Sequence, residues 1–156
     1  MKRIIIAITV LLSSTAMFAQ SNKEDIEMLQ AAFGKEKKEL MQAFVKLDAT
    51  NKDAFWALYD EYEMQRKELG KKRIALINKY AENYNTADDA KINEIVKELA
   101  KLSGSYEKLM STYYAKISKA AGVKPAAQFY QMEGYLLSVV RVKIMDIIPF
   151  FGELDY

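Results

Sequence analysis

The 156-residue sequence contains no cysteine and no histidine. Without cysteine there are no disulfide bonds, so the fold must be stabilised by packing. The two absences together exclude Cys–His and Ser–His–Asp catalysis, zinc sites built on these ligands, and haem sites with a proximal His or Cys. They also exclude a bacterial lipoprotein, which carries its lipid on a cysteine. We therefore predict no catalytic residue, no metal-binding residue and no cofactor.

Proline is nearly as scarce, with Pro125 and Pro149 the only two in the chain. Residues 24–120 consist mainly of the strong helix formers Ala, Glu, Lys, Leu, Met and Gln, and no run alternates apolar and polar residues as a strand would. No linker rich in Gly, Ser or Pro divides the chain. The sequence therefore predicts an all-α protein whose residues 20–156 form a single helical domain.

Apolar periodicity and turn residues place four helices around a long antiparallel hairpin. The hairpin helices are predicted at about 51–83 and 88–120, the first helix at about 24–46 and the fourth at about 125–147. Thr86-Ala87-Asp88-Asp89 resembles a capping box before the third helix, Asp88 and Asp89 suit its positive end, and Gly122 suits the residue that follows its carboxyl end. Short loops between long helices favour antiparallel neighbours.

The apolar stripes predict which face of each helix is buried. The stripe of the third helix steps by three and four residues through Ile92, Ile95, Leu99, Leu102, Tyr106, Leu109, Tyr113 and Ile117. The stripe of the first helix runs through Ile26, Leu29, Phe33, Leu40, Phe44 and Leu47. In the second helix Arg66 and Arg73 interrupt the stripe, which predicts a middle that is less buried than the ends or bent. Carboxylates such as Glu63 are assigned to solvated helix faces.

The first residues have the pattern of a signal peptide. Lys2 and Arg3 precede an apolar run of about nine residues, and Ala16-Met17-Phe18-Ala19 supplies a cleavage site. The run is too short for a membrane span of about 20 residues, although an uncleaved anchor helix is the alternative. We predict cleavage after Ala19 and a soluble periplasmic protein with no stable membrane insertion. Residues 20–156 are formally neutral, which gives no reason to expect nucleic acid as a partner.

Two stretches of the second helix are candidates for binding a partner. One is aromatic and the other basic; together they comprise Phe55, Trp56, Tyr59, Tyr62, Arg66, Lys67, Lys71, Lys72 and Arg73. Phe55, Tyr59 and Tyr62 also share one helix face, so they can equally form core, with Trp56 at its edge. The basic stretch can equally be a solvated face balanced by neighbouring acids. The aromatic residues at 150–156 are either packed against the helices or free for a partner.

The chain resembles the small exported helical proteins related to the Spy/CpxP (LTxxQ) superfamily. The residues that carry the resemblance are Phe55, Trp56, Tyr59, Tyr62, Arg73, Ile77 and Tyr80, followed by Pro125, Ala126, Phe129, Gln131 and Glu133. This resemblance implies a non-enzymatic periplasmic protein-binding protein, either a Spy-like ATP-independent chaperone or an envelope-stress accessory. Its partners would be unfolded polypeptides.

We also consider a regulatory role, a homodimer and an enzyme. The chain could bind one regulatory protein, as a sensor or partner of a membrane-bound signalling system of the sigma-factor type. A thin hairpin that cannot cover all of its apolar stripes could also form a homodimer. Acid–base catalysis by an enzyme would require two carboxylates paired in a cleft, where their surroundings can hold their pKa values apart.

Overall fold

The computed structural model describes residues 23–83 and 86–146, and for residues 23–32 it describes the backbone alone. The predicted signal peptide at 1–19, its cleavage after Ala19 and the aromatic tail lie outside the described residues. Four helices follow one another along the chain: α1 (Lys23–Phe44), α2 (Lys52–Asn83), α3 (Asp89–Ala121) and α4 (Val123–Met145). The described part is 89% helical and contains no strand, which confirms the predicted all-α class. Each predicted helix end lies within two residues of the observed one.

Turn residues act at both ends of α3, although the cap at its amino end is Asp88 and not Thr86, with which the capping-box pattern begins. The Asp88 side chain accepts a hydrogen bond of 2.8 Å from the Lys91 amide and so caps the first turn. Gly122 alone separates α3 from α4 and has a φ of +104°, a conformation that L side chains rarely adopt. The chain can therefore reverse direction within one residue, which lays α4 back along α3.

The main core fills the end of the hairpin where α2 begins and α3 ends. The large side chains buried there are Phe55, Tyr59, Tyr62, Tyr113, Ile117 and Phe129. Their rings meet mostly edge to face, as between Tyr62 and Phe129, whose centroids lie 5.0 Å apart. The α3 stripe is buried as predicted at Ile95, Tyr106, Leu109, Tyr113 and Ile117.

The opposite end of the hairpin, formed by residues 74–83 and 89–102, is here called the hairpin tip. The Arg141 guanidinium of α4 lies 3.8 Å from the Glu107 carboxylate, so α4 ends beside about residue 103 of α3. At the tip only a small cluster of Leu76, Tyr80 and Ile95 is buried. Leu99 is 43% exposed, although the periodicity predicts it in the core, because α4 does not extend far enough to cover it.

Helix α1 buries a different face from the predicted one. Lys37, Met41 and Val45 are buried, at steps of four residues, while Phe44 is exposed. The predicted stripe is therefore wrong at Leu40 and Phe44, where the next residue along the chain is the buried one, a shift of about 100° of rotation. Phe33 lies on the observed face, four residues before Lys37, and Leu47 packs against the core as predicted. No described helix carries an apolar stretch that could cross a lipid bilayer.

Candidate functional site

Five polar side chains meet inside the helical bundle, and we call them the ionic cluster. They come from three helices: Lys37 from α1, Tyr62, Glu63 and Arg66 from α2, and Glu133 from α4. Lys37 is 2% exposed and Glu133 is 3% exposed. Charged side chains are almost never buried to this extent unless they are paired.

Each charge in the ionic cluster faces an opposite one. The Lys37 ammonium donates to Glu63 Oε1 and lies 2.6 Å from Glu133 Oε2, so it bridges the two carboxylates. Arg66 Nε donates to both oxygens of Glu63, at 2.9 and 3.0 Å. The Tyr62 hydroxyl donates to Glu133 Oε2 at 2.6 Å. Two cations and two anions therefore neutralise one another.

The two carboxyl groups have pKa values displaced in opposite directions. Burial alone would raise the pKa of Glu63, but the adjacent Lys37 and Arg66 cations outweigh it and lower that pKa. For Glu133, burial outweighs the attraction of Lys37, and the neighbouring Glu63 charge adds to it, so its pKa is raised. Burial also raises the pKa of Tyr62 well above its usual value. Glu133 is thus the member of the ionic cluster that most readily takes up a proton.

A small cavity of about 30 Å³, partly open to solvent, adjoins the ionic cluster. Its polar lining comprises Lys37, Tyr62, Arg66, Arg73 and Glu133, and its apolar lining includes Phe33, Tyr106, Leu136, Leu137 and Val140. A cavity of this size holds about two water molecules. Two polar atoms of its lining residues, Arg66 Nη2 and Glu133 Oε1, are buried without a hydrogen-bond partner.

Paired buried carboxylates beside a cleft are the feature that an enzyme would require. Here, however, Glu63 directs both oxygens at Arg66, and Glu133 has one oxygen bound to Lys37 and Tyr62. Glu133 Oε1 is the only oxygen of the two carboxylates without a hydrogen-bond partner, and it is buried. The arrangement can therefore accept or donate one proton, at Glu133. Within the described residues, no three acidic side chains lie close enough together to hold a metal ion.

The aromatic candidates are mostly core residues. Phe55, Tyr59 and Tyr62 are buried completely or nearly so, and the core alternative is confirmed for all three. In this conformation they cannot touch a partner. Trp56 packs at the edge of the core, as expected, with its ring centroid 5.5 Å from the Lys38 ammonium.

The basic candidates do not form one patch. Arg66 is buried in the ionic cluster, so the prediction of a less buried middle of α2 is wrong at that position. Arg73, seven residues on, lies over the Tyr106 ring with 4.2 Å between guanidinium carbon and ring centroid. Lys72 faces solvent, Lys67 and Lys71 are half-buried, and Lys71 also pairs with Glu68 at 2.9 Å. The arginines therefore face inward, and of the predicted contact residues Trp56, Lys67, Lys71 and Lys72 keep part of their surface exposed.

Three members of the ionic cluster were missed by the sequence analysis: Lys37, Glu63 and Glu133. Each occupies an apolar stripe, four residues after a large aromatic residue: Phe33 before Lys37, Tyr59 before Glu63 and Phe129 before Glu133. A charged residue at a core position is the available signal, because it must find an opposite charge when the helix packs. A single charged residue at a core position can be an isolated exception to the apolar pattern. Three such residues with charges of both signs indicate a cluster of ion pairs.

No family model, no curated protein and no solved structure matches this chain.

Proposed function

We propose that this chain is a non-enzymatic protein-binding protein of the periplasm, a Spy-like ATP-independent chaperone or envelope-stress accessory. It would act by reversible contact between exposed apolar helix faces and apolar segments of other polypeptides. The resemblance of the sequence to the Spy/CpxP superfamily supports a protein-binding role, and the signal-peptide pattern at residues 1–19 supports export.

The observation that carries the proposal is the exposed apolar face of the hairpin tip. Val96 is 49% exposed and Leu99 is 43% exposed, and they lie three residues apart on the part of α3 that α4 does not reach. Leu99 continues the stripe that forms the core elsewhere in α3. An apolar stripe that runs out of a core into solvent offers a surface to another chain.

The test is suppression of aggregation, measured by light scattering of a denatured client with residues 20–156, which contain every described helix. Val96→Glu should weaken suppression at equal concentration, because a charge at the tip opposes contact with apolar segments. Val123→Glu is the matched control: Val123 is 65% exposed, but it lies at the other end of the hairpin. No suppression by the wild type, or equal effects of the two variants, would contradict the proposal.

The regulatory alternative predicts a different result in a pull-down from envelope extract. One stoichiometric partner whose binding is lost in Val96→Glu would favour a regulatory protein. Many different unfolded clients would favour the chaperone.

A further inference from the structure

The face of α3 that α4 covers continues, uncovered, into the hairpin tip. Tyr114 packs against Tyr130 of α4, with ring centroids 5.9 Å apart, and Ile117 is buried in the main core. Val96 lies eighteen residues before Tyr114 and Leu99 eighteen before Ile117, which is about five turns, so each shares the direction of its counterpart. Val96 and Leu99 are therefore the part of this face that lies ahead of the end of α4.

The chain directly beyond α4 is largely apolar. Residues 147–156, here called the tail segment, read IIPFFGELDY. Six of these ten residues are large and apolar or aromatic: two isoleucines, two phenylalanines, a leucine and a tyrosine. An aromatic side chain can bury about 150–250 Å². The tail segment therefore has apolar surface of its own to remove from water.

The tail segment begins close to the exposed pair. Because α4 is antiparallel to α3, it runs toward the hairpin tip and ends beside about residue 103. From there Leu99 and Val96 are about 6 and 10 Å farther along α3, at 1.5 Å per residue. Phe150 and Phe151 come four and five residues after Asp146, and an extended chain of that length spans about 13–17 Å. Both rings can therefore reach the pair without a reversal of the chain.

Helix α4 also has exposed apolar residues, but the tail segment reaches them less directly. Tyr135, Val142 and Met145 are 46%, 57% and 59% exposed. All three precede the tail segment, which would have to reverse direction to cover them. A reversal takes a turn of about four residues and would leave only residues 151–156 for contact. The direction of α4 therefore favours the hairpin tip.

We propose that the tail segment binds in cis to the hairpin tip, with Phe150 and Phe151 packed on Val96 and Leu99. The contact removes apolar surface of both partners from water, which is its driving force. The tail segment then occupies the surface through which the chain is proposed to bind other polypeptides. This consequence, unlike the docking itself, rests on the proposed function: a client has to displace the tail segment before it binds the tip.

The experiment makes use of the absence of cysteine from the chain. Two cysteines are introduced into residues 20–156, and disulfide formation in oxidised glutathione is followed by non-reducing electrophoresis. Docking brings the thiols of Val96→Cys/Gly152→Cys together and leaves both phenylalanines in place. This intramolecular disulfide should form about tenfold or more faster than that of the matched control, Lys101→Cys/Gly152→Cys. Lys101 is also exposed, but it lies five residues after Val96 and about 140° away around the helix.

A third pair, Val142→Cys/Gly152→Cys, tests the competing surface on α4. Its loop is much shorter, so a tail segment that does not dock would form this disulfide first. Equal rates for the Val96 and Lys101 pairs, or a Val142 pair at least as fast as the Val96 pair, would overturn the proposal. Disulfides that join two chains would overturn it as well, because they would assign the tip to a second copy.

Phe150→Ser/Phe151→Ser separates the docking from the protein-binding function. These substitutions should slow the disulfide of the Val96 pair to the rate of the Lys101 pair. They should also lower the concentration needed for half suppression of aggregation by about twofold or more, if the tip is covered at least half of the time. Absence of suppression both with and without the substitutions would contradict the proposed function and leave the docking intact. Unchanged suppression beside a slowed disulfide would refute the competition between the tail segment and clients.

Discussion

Replacing Lys37 with methionine should destabilise the fold far more than the loss of an ordinary lysine. Lys37 is the only cation in contact with Glu133 among the described residues, and its side chain is 2% exposed. Removing one partner of a buried ion pair costs about 3–5 kcal/mol. Uptake of a proton by the abandoned Glu133 limits this cost: from the ordinary pKa of 4.5, neutralisation at pH 7 costs about 3 kcal/mol. We therefore expect Lys37→Met to lower the free energy of unfolding by about 3 kcal/mol at pH 7, the lower end of that range.

Urea unfolding followed by circular dichroism measures this change by linear extrapolation. Lys38→Met is the matched control, because the adjacent Lys38 pairs with Asp60 at 2.5 Å on the surface and should cost less than about 1 kcal/mol. The double variant Lys37→Met/Glu133→Gln should recover most of the loss, since it removes both charges and leaves Tyr62 an acceptor. If Lys37→Met costs no more than Lys38→Met, or if the double variant is as unstable as the single one, then Lys37 does not neutralise a buried Glu133 charge.

Three further predictions follow from the described contacts. Tyr62→Phe should cost about 1.5–3 kcal/mol of unfolding free energy, because Glu133 loses a hydrogen bond of 2.6 Å. Tyr59→Phe removes a buried hydroxyl that has no partner, so it should be neutral or stabilising by up to about 1 kcal/mol. Equal losses of the two variants in urea unfolding would contradict this prediction. Gly122→Ala should lower stability by about 1–3 kcal/mol because of its φ of +104°, and an unchanged melting temperature would show that the turn is not strained by a side chain. Because the pKa of Glu133 is raised in the folded state, its contribution to stability is greatest below its unfolded pKa of about 4.5 and declines as pH rises through the folded pKa. Between pH 4.5 and pH 7 the wild type should therefore lose stability relative to Glu133→Gln. A stability difference that does not change with pH would show that the pKa of Glu133 is not raised on folding.

The helices could be predicted from the sequence because their signals are local. Gly122 adopts a backbone conformation that would be strained for any residue with a side chain. The Asp88 side chain accepts a hydrogen bond from the Lys91 amide in the first turn of α3, where amides lack partners within the helix. The long stripe of α3 is repeated often enough that one face dominates. At Leu99 the same stripe misleads, since periodicity describes a face of a helix but not how far the neighbouring helix extends along it.

The ionic cluster could not be predicted in the same way because its members lie far apart in the sequence. Glu63 and Glu133 look like solvated carboxylates when each is considered alone, and their burial depends on Lys37 from a third helix. Charge alone assigns each of them to the surface. The geometry reverses that assignment only because charges of both signs occupy core positions on α1, α2 and α4.

The ionic cluster also explains why α1 packs on the face that it does. The sequence of α1 offers two faces of similar apolar content: the observed one with Met41 and Val45, and the predicted one with Leu40 and Phe44. Hydrophobic burial alone therefore distinguishes the two faces weakly. Turning α1 by about 100° would, however, separate Lys37 from both of its carboxylates and leave the buried Glu63 and Glu133 with Arg66 as their one cation. We therefore expect the ionic cluster to contribute more to the choice between these two packings of α1 than to the free energy of unfolding. It follows that the double variant Lys37→Met/Glu133→Gln can regain its free energy of unfolding and still lose the single orientation of α1, a difference that the side-chain NMR signals of Phe44 and Met41 would show.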